Sequence, residues 1–155
     1  MASFQTQYSP DPIEVSIDIR YGVIRKGLNF LVNNFEDPIS LADLSHVVQA
    51  SRFHYCRLFK KVMGIGPGEW LIGFRVLHAV NMMESLPNAI LRDIAFPCGF
   101  RSSAHFCRTF KKFFGHSPLE FREHLNKKNP NFFSTQAKIN DLRNQLHLQR
   151  LPKFY

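Results

Sequence analysis

Two short runs place histidine and cysteine two residues apart, His54-x-Cys56 and His105-x-Cys107. Imidazole and thiolate are zinc ligands and nucleophile–base partners, so these residues are the first to weigh for chemistry. Their spacing serves neither purpose. On a helix, residues i and i+2 point to different faces and do not converge on one ion or one proton. The chain has no CxxC, no spaced histidine pair, no P-loop, no dinucleotide fingerprint and no GxSxG elbow. An enzyme is therefore not expected, nor a metal site, nor a cofactor. Cys56 and Cys107 read as small helix-surface residues.

What surrounds the two pairs is positive charge. Leu44–Gly68 contains Arg52, Arg57, Lys60 and Lys61 without a single Asp or Glu, and Ile94–Leu119 contains Arg101, Arg108, Lys111 and Lys112, again without one. Solvated helix faces usually mix both signs, so the matched absence of acids points to phosphate as the partner. The planar fork of arginine also matches O6 and N7 of guanine. Across the whole chain, 20 Lys and Arg outweigh 12 Asp and Glu for a formal charge of +8. Residues 1–40 hold three basic and five acidic residues, so residues 41–155 carry 17 against seven. The surplus sits with the two windows.

Composition bounds the rest. A chain of 155 residues that is 45% hydrophobic, with 16 Phe, packs a core and excludes wholesale disorder. No stretch approaches the roughly 18 consecutive apolar residues of a membrane span, and MASFQTQYSPDP is no signal peptide. Three cysteines fit no paired framework, which suits a reducing cytoplasm.

The elements that position the charges are copies of one another. LADLSHVVQASRFHYCRLFKKVMGIGP (41–67) aligns with LRDIAFPCGFRSSAHFCRTFKKFFGHSP (91–118), offset by 51 at the second helix and by 50 at Leu41 and Leu91. The second copy therefore has one more residue in its turn. Each copy reads as helix–turn–helix. In the first, Ser40 and Asp43 form a capping box, and Leu41, Leu44, Val47 and Val48 face inward. Ser51 caps a second helix burying Tyr55, Leu58, Phe59 and Val62, and Gly64 ends it. In the second, Gly99 lies in the turn, Ser102 or Ser103 caps a helix burying Phe106, Phe110 and Phe113, and Gly115 closes it.

This predicts an all-α fold: two helix–turn–helix subdomains joined by a long linker helix, a homeodomain-like pair. The expected boundaries are a lead-in over 1–17, a first subdomain over 18–66, a linker helix over 67–86, a second subdomain over 87–126 and a tail over 127–155. A packing helix is expected over about 18–35, with Ile24, Leu28, Leu31 and Phe35 on one face. In the tail, Ser134 is the expected cap of a short helix with Ile139, Leu142 and Leu146, folding back on the domain. Trp70 and the phenylalanines have core spacing, which argues against base stacking. The linker helix spans roughly 30 Å at 1.5 Å per residue, close to the ~34 Å between successive major-groove entries on one face of DNA.

Ile94-Ala95, Gly99-Phe100, Ser102, Phe106, Arg108, Phe110-Lys111-Lys112, Gly115, Ser117-Pro118 and Phe121-Arg122 together resemble the signature of AraC/XylS transcription regulators. Leu44, Ser51, Arg57-Leu58-Phe59-Lys60, Gly64, Arg75 and Ala79 resemble the first half of the same domain. The resemblance covers about residues 20–125. It implies a sequence-specific, double-stranded DNA-binding transcription regulator, more an activator than a repressor, acting in the bacterial cytoplasm at the nucleoid. Because the lead-in is too short for an effector domain, the architecture is similar to stand-alone members of the MarA and SoxS type. Such members bind DNA as monomers and recruit RNA polymerase. Departures are Gln49 at a frequent turn glycine, Ser45 at a preferred alanine, Gly66 before Pro67, and Pro97 near a helix end.

The resemblance places base contacts at Phe53, Cys56 and Arg57, with Arg52 beside them, and at Ser103, Ala104 and Arg108, with His105 beside them. Ser51, Lys60, Lys61, Arg101, Ser102, Lys111 and Lys112 are the phosphate candidates, which give affinity without sequence information. The rival reading is a regulatory interaction module that engages RNA polymerase or another regulator and binds DNA only weakly.

Overall fold

Two serine caps and two glycine stops, 51 residues apart, cut the middle of the chain into matching pieces. The computed structural model describes residues 12–147, all of whose regular elements are α-helices. Positions 1–11 of the expected lead-in and 148–155 of the tail lie outside the described residues.

Helix α1 spans Pro12–Asn33, α2 Leu41–Val48 and α3 Arg52–Met63; α4 spans Pro67–Ser85; α5 spans Leu91–Ala95, α6 Ser103–Phe114, α7 Pro118–His124 and α8 Phe132–Gln145. Ser51 and Ser102 accept hydrogen bonds on Oγ from the amides of His54 and His105, opening α3 and α6. Gly64 and Gly115, both at φ 80°, end these two twelve-residue helices in the left-handed conformation that glycine adopts without strain. Ser40–Asp43 and Ser117–Glu120 are reciprocal capping boxes at α2 and α7, and these bonds lower the pKa of both carboxyls. Pro67 occupies the first turn of α4, where its missing amide costs nothing.

The second helix of each unit, α3 and α6, holds the position of the recognition helix in a helix–turn–helix, and the two bury equivalent stripes. In α3 these are Tyr55, Phe59 and Met63; in α6 they are Phe106, Phe110 and Phe114. Each stripe runs i, i+4, i+8 into the core: Tyr55 lies against Gly27 of α1 and Phe59 against Trp70 of α4, while Phe106 meets Phe100, and Phe110 and Phe114 meet Phe121 of α7. α4 itself is buried on several sides, from Trp70 and Leu71 to Val80 and Met83. Trp70 stacks on Phe74 at 5.2 Å and receives the edge of Phe59 at 6.5 Å, so the first recognition helix is anchored on the linker. The second is anchored by an aromatic column, with Phe106–Phe110 at 5.5 Å, Phe110–Phe114 at 4.9 Å and Phe114–Phe121 at 4.6 Å. At about 1.5–3 kcal/mol per buried side chain, these aromatics dominate the hold on α6.

Several expectations are corrected. Leu41 is 43% exposed, because it is the first residue of α2 and lies on the open side of the capping turn; Leu44 and Val48 carry the burial. Phe114, not Phe113, continues the buried stripe of α6, and Phe113 is half-buried. α1 begins at Pro12 and ends before Phe35, which leaves the helix face and packs on Phe74 at 5.3 Å. α8 starts two residues ahead of Ser134, with Asn131 as its N-cap and no side-chain cap bond. Its apolar residues Ile139, Leu142 and Leu146 are buried, so the helix folds back on the domain.

Candidate nucleic-acid interface

Each unit reaches its recognition helix through a turn that needs a left-handed residue. In the second unit Gly99, at φ 81°, supplies it. In the first, Gln49 adopts φ 55° in place of a glycine, with Ser45 Oγ donating to the Ala50 carbonyl at 2.6 Å across the same turn. The hydroxyl that sets this sequence apart from the family pattern thus braces the turn whose glycine is missing.

With the buried stripes turned to the core, the opposite faces carry the charge. On α3, Arg52, Phe53, His54, Arg57, Lys60 and Lys61 are exposed, and Cys56 is half-buried. On α6, Ala104, His105, Arg108, Lys111 and Lys112 are exposed, while Ser103 and Cys107 are half-buried. Arg57 and Arg108 occupy the same helical position 51 residues apart, and neither guanidinium makes a hydrogen bond or ion pair with another described residue. Ser51, Ser102 and Arg101 are exposed at the helix entrances. The serine hydroxyls accept the cap bonds on oxygen, which leaves their protons available to a phosphate. Neither helix has an acid in its first turn, so the positive end of each helix dipole adds to the side-chain charge.

The two exposed faces differ in one respect. Phe53 is 83% exposed, the largest exposure of any large apolar side chain described, and its counterpart is the small Ala104. His105 is held edge-on to Phe100 at 5.6 Å. Burial raises the pKa of Cys107 and pushes that of fully buried Cys98 up to about 12, so neither is poised as a thiolate nucleophile. Among the described residues no three His, Cys, Asp or Glu side chains gather as a metal site. No helix among them is long and apolar enough to cross a membrane.

One set of contacts was not legible from spacing. The turn at Gly99 packs against the Phe35 carbonyl and the Arg75 guanidinium, joining the second unit to the loop ahead of the first. A groove between them is bordered by Glu36, Arg75, Gly99, Arg101 and His105. Arg75 stood out only as part of the family pattern, and no periodicity announces a side chain that bonds carbonyls 40 residues away.

Two helix–turn–helix units on one linker helix, each presenting a basic recognition face, define the class of a helix–turn–helix regulator. A family described as a helix-turn-helix domain matches residues 44–124. The lactose operon transcription activator of Staphylococcus xylosus is 29% identical over 77% of this chain and 43% of its own length. The melibiose operon regulatory protein of Escherichia coli is 29% identical over 62% of this chain and 32% of its own. The DNA-binding domain of AdpA, solved in complex with a target DNA, superposes with a TM-score of 0.64 at 25% identity, covering 69% of this chain and 96% of that domain. An AraC-type regulator from Chromobacterium violaceum gives a TM-score of 0.64 at 26% identity, covering 70% and 96%. The chain belongs to the AraC/XylS family of transcription regulators. It spans less than half the length of these two curated relatives.

Proposed function

We propose that the chain binds double-stranded DNA as a monomer, inserting α3 and α6 into successive major grooves, and regulates transcription as an activator through RNA polymerase. It would do so in the cytoplasm, at the nucleoid. The observation that carries this reading is the matched pair Arg57 and Arg108, exposed and unpaired among the described residues at the same position of two copied helices. Arginines in that state have no intramolecular partner to give up on turning toward guanine, and each supplies the bidentate fork that guanine accepts.

The roles divide by position. Arg52, Phe53, Cys56 and Arg57 on one helix, and Ser103, Ala104, His105 and Arg108 on the other, face the bases. Ser51, Lys60, Lys61, Arg101, Ser102, Lys111 and Lys112 hold phosphates and set register. Two related elements about one helical turn apart, in direct-repeat sense, are the matching DNA. The complex of AdpA with its target supports duplex DNA as the partner, and the lactose operon relative is an activator.

Selection from a random duplex pool, followed by a salt titration on the selected site, tests this. The five cationic phosphate contacts, Lys60, Lys61, Arg101, Lys111 and Lys112, would give a slope of log affinity on log salt near roughly −4.5; the neutral hydroxyls of Ser51 and Ser102 add none. A shallow slope with no selected sequence would replace DNA readout by the interaction-module reading. A steep slope with no selected sequence would indicate coating of DNA without readout.

A further inference from the structure

The family match ends at residue 124, yet α8 is built into the core beyond it. Its C-terminal end reaches the first unit's anchor: Trp70 Nε1 donates at 3.0 Å to the carbonyl of Leu146, and Trp70 is the ring on which Phe59 of α3 rests. Its middle reaches the second recognition helix, where Lys138 Nζ donates at 3.0 Å to the carbonyl of Phe114, the last residue of α6. That carbonyl sits at the negative end of the α6 dipole, which favours a cation there. Between the two ends lies Gly73 of α4. A Cβ on it would stand 3.0 Å from Leu146 and 3.5 Å from both Leu142 and Phe113. Glycine at this point lets Leu142 and Leu146 close on the linker where Phe113 of α6 also meets it. Arg143 adds a 3.5 Å bond to Asn81, about two turns further along α4.

We infer that α8 is a strap that fixes the angle between the two recognition helices, and thereby the spacing of DNA elements the protein accepts. Trp70, Gly73 and Lys138 are its positioning residues. None of them faces the proposed interface. Lys138 in particular is a lysine of the basic surplus that is spent on a helix end and not on a phosphate. The spacing claim rests on the DNA-binding reading; the mechanical claim does not.

The test uses the full chain and the double variant Trp70→Phe/Lys138→Met, with Lys138→Met alone carrying it if the double variant fails to melt cooperatively. Cys56 and Cys107 stand at equivalent places on α3 and α6, half-buried, whereas Cys98 is fully buried, so the first two accept a spin-label pair. The wild-type label distance should be single and narrow, and the variant's about twofold broader, because a released element samples more orientations. On DNA, one base pair inserted between the selected elements turns the second by about 35°. That insertion should cost the wild type about tenfold in affinity and the variant only about twofold, with the variant weaker at native spacing. An equally narrow distance distribution in the variant overturns the strap whatever the DNA result. Broadening with an unchanged insertion penalty, or an equal loss at every spacing, overturns its control of spacing. If the wild type selects no sequence while the variant's distribution broadens, the strap stands and the DNA reading fails.

Discussion

Arg75 donates from Nε to the carbonyl of Phe35 at 2.7 Å, while its Nη2 donates at 2.7 Å to the carbonyl of Asp37. The linker helix thereby holds the loop that precedes the first helix–turn–helix. The same Phe35 carbonyl backs onto Gly99, the left-handed residue in the turn of the second. Three segments distant in sequence meet at one carbonyl. Burial, then the neighbouring Arg101 charge, lowers the Arg75 pKa, and the two carbonyls compensate the guanidinium for lost water.

Gly99→Ala should therefore be among the most damaging alanine substitutions in the chain. Its φ of 81° alone costs an L-residue about 1–2 kcal/mol. The new Cβ would also overlap the Phe35 carbonyl and lie 2.7 Å from Arg75 Nε. Gly64→Ala is the control, because it shares a φ of 80° but faces open space. Urea unfolding should give a loss of about 1 kcal/mol for Gly64→Ala and at least about 2 kcal/mol more for Gly99→Ala. Similar losses for the two would remove the steric contact from the account.

Tyr55→Phe should stabilise the protein. The Tyr55 hydroxyl is buried with no hydrogen-bond partner, and burial raises its pKa well above the ordinary phenol range. Its counterpart in the second unit is Phe106, which fills the equivalent place without a hydroxyl. Relief of the unpaired group is worth about 1–2 kcal/mol, read as a rise in the urea midpoint at unchanged slope. A lower midpoint would mean that the hydroxyl has a partner, such as an ordered water.

The repeat made both recognition helices legible, since Ser51, Ser102, Gly64 and Gly115 announce their ends through local backbone chemistry. Periodicity was weaker at choosing between Phe113 and Phe114, because i+3 and i+4 both lie on the stripe and only the packing partner decides. Here Phe121 of α7 takes Phe114, while Phe113 lies beside Gly73 of α4. Leu41 looked inward by type, but a first-turn residue faces wherever the cap directs it. The joint between the units was hidden altogether. Neither the Arg75 carbonyl bonds nor the closeness of Gly27 to the Tyr55 ring leaves any pattern along the chain. The basic faces were legible by composition, yet composition cannot tell Lys138, which caps α6, from a lysine free to meet phosphate.

Stability should fall on mild acidification, and His78 should be part of the cause. Its ring lies 4.7 Å from that of Phe35, and burial lowers its pKa, with Glu36 opposing the shift more weakly. A histidine whose folded pKa lies below its unfolded value of about 6.5 binds more protons when unfolded. Its contribution is then complete above about pH 6.5 and is lost as pH falls through the folded pKa. The urea midpoint should drop between pH 7.5 and pH 5.5 in the wild type, and less in His78→Gln. Parallel curves for the two proteins would clear His78 of the effect. The capping carboxylates Asp43 and Glu120, whose pKa values are lowered, act only at more acid pH.

Base readout and phosphate anchoring make opposite signatures, which separates the arginines from the lysines. If Arg57 reads a guanine in one element, Arg57→Ala should lose about 1–3 kcal/mol on the selected site, roughly 5- to 150-fold, and should cease to discriminate at that base pair. Arg108→Ala should do the same in the other element and leave the first element's preference intact. The two losses should add, because the residues sit on separate helices and share no partner. Lys61→Ala or Lys112→Ala should instead weaken binding to all sequences alike and shrink the salt slope by about 0.9 each. The measurement is binding of each variant to a panel of single-base-pair substitutions at two salt concentrations. An equal loss on every sequence for Arg57→Ala and Arg108→Ala, random DNA included, would refute base contact by the arginines and move them among the phosphate ligands.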